Sequence, residues 1–285
     1  MSKRLPTWLE TRDAPLFWIE PGGYGLTAYA GGNADWMGDP QSAASIFGQV
    51  NSVLKSSILS IDGLPALRGG APLEADADKA VSLAQDLLQD EAGKSRLKDV
   101  IGAVGHGIAG RAGLALALPS PAKLLTLCGA PAGCGDIEFD DLDDIAVALT
   151  GVARSVSETG IEALLVTFGE GAAVSDDEVE ALESLTATAS HYRWATAARL
   201  DGEPAGPILS SAFDIVLCPD CPPSHFSSDW TVEDKPLGGG LAKAFWEGED
   251  FAALSGPALI YGEAPDWLAP EAVLARLNTL HGGAG

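Results

Sequence analysis

Basic side chains are scarce in this chain of 285 residues, which carries 17 Lys and Arg against 40 Asp and Glu, a formal net charge of −23. Proteins that bind a phosphate backbone need basic patches whose contacts release counterions, and anionic membrane surfaces repel an acidic protein. We therefore expect no nucleic-acid partner and no membrane partner. We expect a small-molecule substrate instead, and the sequence is compatible with a homodimer.

Long apolar runs and dense cysteine patterns are also absent. No run approaches the roughly 18 apolar residues of a transmembrane helix, and the opening segment MSKRLPTWLETRDAP lacks the apolar core of a secretory signal. Four cysteines without a dense spacing pattern are typical of a reducing compartment rather than of a disulfide framework. These features predict a cytoplasmic location, and 46% hydrophobic residues suffice for a sizeable core.

No linker rich in Pro, Gly or Ser divides the chain, and strand-like segments alternate with helix-like segments along it. The strand-like segments include LFWIE, SSILSIDG, VIGAVG, IEALLVTFGEG, ATAARLDG, FDIVLCPD and ALIYGEAP. Strict alternation predicts a parallel sheet. About eight such units in one domain of this length predict an α/β fold, a single (β/α)8 barrel of the TIM type over residues 1–285. An open doubly wound sheet is the alternative.

The glycine-rich stretch GHGIAG, residues 105–110, follows the strand-like VIGAV and fits the pattern G-x-G-x-x-G. A dinucleotide site also needs an acidic residue about 20 positions later, and KLLTLCGAPAGCG, residues 123–135, contains none. His106 is nevertheless a candidate for acid–base chemistry, because glycines let the backbone approach a ligand and histidine titrates near neutral pH. A histidine that hydrogen bonds its own loop is the structural alternative.

The opening strand with its glycine turn is followed by three longer stretches, DPQSAASIFGQVNSVLKSSILSIDGLPAL, GVARSVSETGIEALLVTFGE and APDWLAPEAVLARLNTL. The order of these segments resembles the uroporphyrinogen decarboxylase superfamily, which includes the corrinoid-linked methyltransferases. It is a match of order and pattern with few identities. It implies a (β/α)8 barrel, and a reaction that is either a decarboxylation or a methyl transfer.

The end of the first strand departs from the family's decarboxylases. There the strand reads approximately R-Q-A-G-R-Y, and its arginines hold the carboxylates of the substrate. The same stretch here is EPGGYG, which puts Glu20 and Tyr24 in the places of the two arginines. A carboxylate repels the groups that arginine would bind in bidentate fashion. We therefore predict that Glu20 and Tyr24 bind a small substrate that is not a polyanion.

Three residues are predicted to carry the acid–base work of a cofactor-independent lyase. Asp62, in LSIDG, lies where the family keeps an acid near the reacting centre. Glu170 follows a buried strand-like run in VTFGEG, and His106 completes the set. Carboxylates that converge at a barrel mouth repel one another and lose water, which raises the pKa of at least one of them. Other strand ends add candidates for substrate binding: Arg199, Asp201 and Glu263.

One cluster fits a metal. The family's methyltransferases hold zinc with a His-x-Cys pair and a later Cys, and those places here carry no such ligands. The segment CPDCPPSH instead offers Cys218, Cys221 and His225 beyond a strand, a spacing that suits tetrahedral zinc. A metal-dependent methyltransferase or demethylase of the same superfamily, with zinc as the metal, is therefore the alternative function, and a non-catalytic barrel that binds a small molecule is a second one. A plain loop with two cysteines is the structural alternative.

Overall fold

The structure, a computed structural model, describes residues 15–33, 35–73, 76–131, 137–169, 174–201, 211–225, 231–232, 235–251 and 259–282. The strands in this part of the chain are β1 (Leu16–Glu20), β2 (Ile58–Asp62), β3 (Gly113–Pro119), β4 (Ala163–Thr167), β5 (Ala195–Arg199), β6 (Ile215–Leu217), β7 (Thr231–Val232), β8 (Lys235–Gly240) and β9 (Leu259–Glu263). All but β7 lie parallel to their neighbours in one sheet, and β7 pairs antiparallel with β8.

The sheet curves into a barrel. Its hydrogen-bonded order is β1-β9-β8-β6-β5-β4-β3-β2, so the last strand of the chain pairs with the first. The remaining gap, between β1 and β2, is bridged by the Ser57 amide, which donates to the Phe17 carbonyl at 2.6 Å. The Ser56 hydroxyl closes it further by accepting from the Ile19 amide at 2.8 Å. The predicted (β/α)8 barrel is confirmed, and the open sheet is not formed.

Helices follow the strands and cover the outside of the barrel. They are α1 (Gly22–Ala28), α2 (Pro40–Leu54), α3 (Gly63–Arg68), α4 (Ala80–Gln89), α5 (Glu91–Ile108), α6 (Pro121–Leu127), α7 (Phe139–Ser155), α8 (Asp176–Ala181), α9 (Glu183–His191), α10 (Lys243–Glu247) and α11 (Pro270–Gly282). Local signals fix several starts: Asp39, before Pro40, accepts from the Ser42 amide at 2.8 Å and so caps α2. No described helix combines the length and apolar character needed to cross a membrane.

The inside of the barrel is filled unevenly. Trp18 of β1 and Tyr261 of β9 are both fully buried there, with their rings 5.9 Å apart and perpendicular. The opposite wall carries mostly small side chains, with Leu165 as the large one: Ala115, Ala117, Ala163, Ala195 and Ala197. On β8 even a methyl group is too large, because a Cβ at Gly238 would lie 2.5 Å from Leu217 Cδ2 and 3.0 Å from Leu259 Cδ2. Small residues at these positions therefore leave room for the larger side chains that pack beside them.

The sequence prediction was wrong for VIGAVG, which is not a strand but the middle of α5. Its apolar residues follow the helical period and are buried: Leu97, Val100, Ile101, Val104 and Ile108. The strand lies later, in GLALALP, which forms β3. The stretch GHGIAG therefore ends a helix that precedes a strand, and it forms no turn over a bound nucleotide.

Candidate active site

A cavity of about 250 Å³ opens at the carboxyl ends of the barrel strands. Side chains alternate along a strand, so the last inward-facing residues of several strands meet there. These residues are Glu20, Asp62, Pro119, Thr167, Arg199 and Glu263, and Ser60 and Lys123 also line the cavity. Active sites of (β/α)8 barrels form at this end.

Glu20 is held at the floor of the cavity by its own neighbours. Its Oε1 accepts from Trp18 Nε1 at 3.0 Å and from the Ser60 hydroxyl at 2.5 Å, and Trp18 Nε1 also lies 2.9 Å from Ser60 Oγ. Glu20 is only 8% exposed. Burial raises the pKa of Glu20 from 4.5 to about 7, against the opposing effects of the Ser60 hydrogen bond and the Arg199 charge. The carboxyl can therefore both give and take a proton near neutral pH.

Arg199 is occupied by two carboxylates at the rim. Its Nε and Nη2 donate to Asp201 Oδ1 at 3.1 and 3.0 Å, and its Nη1 forms an ion pair with Glu263 Oε1. The guanidinium charge is thus satisfied within the protein, and it is a poor receptor for the carboxylate of a substrate. The structure brings these three predicted residues together, but as a triad whose members bind one another.

Asp62 faces the same cavity from the end of β2. Its Oδ1 accepts from the Leu64 amide at 3.0 Å, which caps α3 and fixes the carboxylate. The Asp62 side chain is exposed, and it lies in the open mouth of the cavity with other protein groups around it. The loss of water raises the pKa of Asp62, against the lowering effects of the Leu64 amide and the nearby Lys123.

Lys123 is a cavity residue that the sequence reasoning missed. It lies in the first turn of α6, where the Ser120 hydroxyl accepts from the Lys123 amide at 3.3 Å and caps the helix. None of the ion pairs between described residues includes the Lys123 ammonium group. Burial lowers the pKa of Lys123, and the Arg199 charge lowers it further, against the nearby carboxylates led by Asp201. An amine whose pKa is lowered in a cavity is suited to act as a base or a nucleophile.

Glu178 of α8 fixes the turn that carries Lys123. This carboxyl is 2% exposed, and its Oε1 accepts from the Ala122 amide at 3.1 Å. A side-chain hydrogen bond with Ser120 adds a second tie to the start of α6. Burial raises the pKa of Glu178, and no charged partner compensates it among the described residues. The site is therefore supported by a residue that does not line the cavity.

Two further predicted residues lie away from the cavity, and a third falls outside the described residues. Tyr24 lies in α1 and is buried in the core, where its ring packs against Tyr29 with centroids 5.8 Å apart. His106 lies in the last turn of α5, which precedes β3, and this places it at the opposite end of the barrel. Its Nδ1 is 3.3 Å from the Gly102 carbonyl of its own helix. Glu170 falls outside the described residues.

The two cysteines proposed as zinc ligands lie just beyond β6 and are buried. A hydrogen bond with Cys221 and burial both raise the pKa of Cys218, which favours the thiol over the metal-binding thiolate. His225 is described only through its backbone, in the 3-10 turn Pro223–His225. In the described part of the chain, no group of three or more His, Cys, Asp or Glu side chains is arranged to hold a metal ion.

Two signals in the sequence indicate the residues that were missed. Alternation within LFWIE and ILSID puts Trp18 beside Glu20 and Ser60 beside Asp62 on the same strand faces. Lys123 follows Ser120-Pro121, a typical helix start. When GLALALP is taken as the strand before this helix, the sequence places Lys123 at the rim of the barrel.

No family model matches this chain, and no curated protein does. Among solved structures, the chain is similar to an enolase protein from the environmental genome shotgun sequencing of the Sargasso Sea, with 13% identity, a TM-score of 0.46 and 89% of this chain covered. The chain spans 55% of that enolase.

It is also similar to 2,3-dimethylmalate lyase, a PEP mutase/isocitrate lyase superfamily member, with 11% identity and a TM-score of 0.41 over 97% of this chain and 83% of that one. A third is dihydrodipicolinate synthase from Agrobacterium tumefaciens, with 12% identity and a TM-score of 0.42 over 96% of this chain and 75% of that one. At these values no residue's role is transferred from them.

Proposed function

We propose that this protein is a cofactor-independent lyase that cleaves a carbon–carbon bond in a small organic substrate that is not a polyanion. The carrying observation is the buried Glu20 carboxyl, held through one oxygen by Trp18 and Ser60 at the floor of a cavity. A carboxyl held in this way is oriented toward whatever occupies the cavity.

The chemistry of bond cleavage explains why Glu20 and Lys123 are assigned together. When a carbon–carbon bond breaks heterolytically, one fragment keeps the electron pair, and that pair must be stabilised and then protonated. Glu20 in its acid form supplies the proton. Lys123, at the same cavity, supplies the positive centre that stabilises the developing negative charge. Asp62 is assigned to hold a polar group of the substrate or a proton in transit.

The charges at the rim support the assigned substrate class. Asp62, Asp201 and Glu263 contribute negative charge, and the Arg199 guanidinium is already bound to two of these. A ligand with several carboxylates would therefore meet repulsion without an available arginine to bind it. The cavity volume of about 250 Å³ further favours a small molecule.

We also propose that the barrel is a divergent member of the uroporphyrinogen decarboxylase superfamily. Two observations support this: the order of segments along the chain, and the placement of Asp62 in the cavity, where the family keeps an acid. The replacement of the first arginine by Glu20, which lines the cavity, then marks a change of substrate.

The test uses a panel of small aldehydes, ketones and oxo acids, incubated with the protein in D₂O and followed by proton NMR. We expect loss of a C–H signal, or cleavage, for at least one uncharged or singly charged compound. Glu20→Gln should lower that rate by about a hundredfold or more, the usual effect of removing a general acid or base. Glu180→Gln, an exposed position on α8, is the matched control and should leave the rate unchanged.

Three results would count against the proposal. A Glu20→Gln variant with the full rate would remove Glu20 from proton transfer. A reaction confined to polycarboxylates would overturn the substrate class. No exchange and no cleavage with any member of the panel would overturn the lyase assignment.

A further inference from the structure

We propose that Lys123 binds the substrate covalently, as an imine formed with an uncharged aldehyde or ketone. This inference deepens the proposed lyase function and rests on it. It assigns the positive centre in the cavity to an iminium nitrogen instead of a simple ammonium group.

The first support is position. Lys123 lines the same cavity as Glu20 and Asp62, so a carbonyl compound that enters it meets an amine and two carboxyl groups. The amine lies on a fixed turn, because Ser120 caps α6 and the buried Glu178 accepts from the Ala122 amide. A nucleophile needs such fixed placement to meet a bound carbonyl at the right distance.

The second support is the state of the amine, which must be neutral to attack. Two factors favour the neutral form: partial burial of Lys123 and the positive charge of Arg199. The carboxylates of Asp62, Asp201 and Glu263 act in the opposite direction. Two of these three carboxylates are bound to Arg199, which weakens their attraction for the Lys123 ammonium group.

The third support comes from comparison with the other lysines. Lys243 lies at the rim of a neighbouring cavity, but its side chain is 75% exposed and 3.5 Å from a carboxylate oxygen of Glu247. Lys79 and Lys94 form ion pairs with carboxylates three residues away. Of the described lysines, Lys123 is the one that lines the cavity with Glu20.

The proposed step balances without an added reactant. The nitrogen lone pair of Lys123 attacks the carbonyl carbon, the C=O pair moves to oxygen, and that oxygen takes a proton. The nitrogen loses a proton, a second proton reaches the hydroxyl group, and water leaves as the C=N bond forms. The bond between the α and β carbons of the iminium then breaks, and its electrons form an enamine. The Asp62 carboxylate takes the proton of the β-hydroxyl group, so the other fragment leaves as an aldehyde or ketone. Glu20 protonates the enamine carbon, and one water hydrolyses the imine to free Lys123.

The experiment traps this imine by reduction in the unaltered protein. Glycolaldehyde or dihydroxyacetone is added, followed by sodium borohydride, and the labelled peptides are identified by mass spectrometry. We expect labelling at Lys123 to exceed that at Lys243 by about tenfold or more, because the cavity holds a bound carbonyl compound beside Lys123, whereas Lys243 is exposed and meets it only from solution. Pyruvate, which is anionic, should label Lys123 less than either uncharged compound.

Variants provide a second measurement. Lys123→Met should remove the labelled peptide, and Lys243→Met, a matched change at an exposed lysine, should leave the labelling of Lys123 unchanged. The comparison of the two lysines within the unaltered protein decides the matter even where a variant fails to fold. Equal labelling of Lys123 and Lys243, or labelling that spares Lys123, would overturn the imine.

The outcomes separate this inference from the lyase proposal. If Lys123 is not trapped while Glu20-dependent exchange in D₂O persists, the imine is wrong and acid–base catalysis by Glu20 stands. If Lys123 is trapped but no compound is exchanged or cleaved, the lyase proposal is wrong and the covalent carbonyl site stands.

Discussion

Glu20 should make the stability of this protein depend on pH in an unusual direction. Its pKa is raised from 4.5 in the unfolded chain to about 7 in the folded protein, mainly by burial. Between these two values the folded protein holds the proton that the unfolded chain has lost. The free energy of unfolding therefore falls as pH rises from about 4.5 through about 7, and stays reduced above that.

The size of the effect follows from the shift. At about 1.4 kcal/mol per pKa unit, the ionised Glu20 lowers the stability at pH 8 by about 3 kcal/mol relative to the protonated form. A domain is stable by only about 5–15 kcal/mol, so this is a measurable share. Glu20→Gln should recover most of it, because a glutamine carbonyl can still accept from Trp18 and Ser60 without carrying a charge.

The assay is urea unfolding of the unaltered protein and of Glu20→Gln at pH 5 and pH 8. We expect the variant to be more stable by about 3 kcal/mol at pH 8 and by no more than about 1 kcal/mol at pH 5, where folded Glu20 is still protonated and resembles glutamine. Other titrating groups contribute equally to both proteins and cancel. The exposed Glu180→Gln should show no such difference. A Glu20→Gln variant with the same pH dependence as the unaltered protein would refute the buried, protonated state of Glu20.

Three further changes test the surroundings of the cavity. Arg199→Met should raise the pKa of Glu20 further, as measured by NMR titration of labelled Glu, and an unchanged pKa would contradict the coupling. The same change should lower the free energy of unfolding in urea by only about 1–2 kcal/mol, because solvent partly screens the ion pairs of Arg199. Glu178→Ala should cost about 1–3 kcal/mol by leaving the Ala122 amide unpaired, and Glu178→Gln should restore most of that loss. Gly238→Ala should lower the free energy of unfolding by about 1–3 kcal/mol through overpacking. Gly151→Ala, where a Cβ meets nothing within 4 Å, should raise it by about 0.5–1 kcal/mol, and equal urea midpoints for the two variants would refute the packing argument.

The alternation of strands and helices was enough to predict the barrel, because each unit carries its own signals. β1 and β2 are short apolar runs that end at turn residues, and Asp39-Pro40 marks the start of a helix. The same alternation, applied within β1 and β2, correctly orients Glu20 and Asp62 toward one cavity. What these signals do not contain is which strand lies opposite which in the closed barrel.

The third strand, which the sequence prediction assigned wrongly, shows that local signals alone do not place every strand. Glycine is a poor helix former and alanine a poor strand former, so local propensity favours VIGAVG as the strand and GLALALP as something else. The structure reverses both preferences, because Ala115 and Ala117 of β3 are buried inside the barrel, in one cluster with Trp18 and Tyr261. The alanines of β3 therefore fit a strand position that their own propensity disfavours.

The choice of active-site residue depended on the same error. Functional side chains of a barrel follow the carboxyl ends of its strands, so whichever segment is taken as the third strand selects the residue after it. With VIGAVG as the strand, that residue is His106, which the structure places at the far end of the barrel on α5. With β3 at its true place, the next turn begins α6 and brings Lys123 into the cavity beside Glu20. The placement of the third strand thus decides whether the sequence indicates a histidine or a lysine.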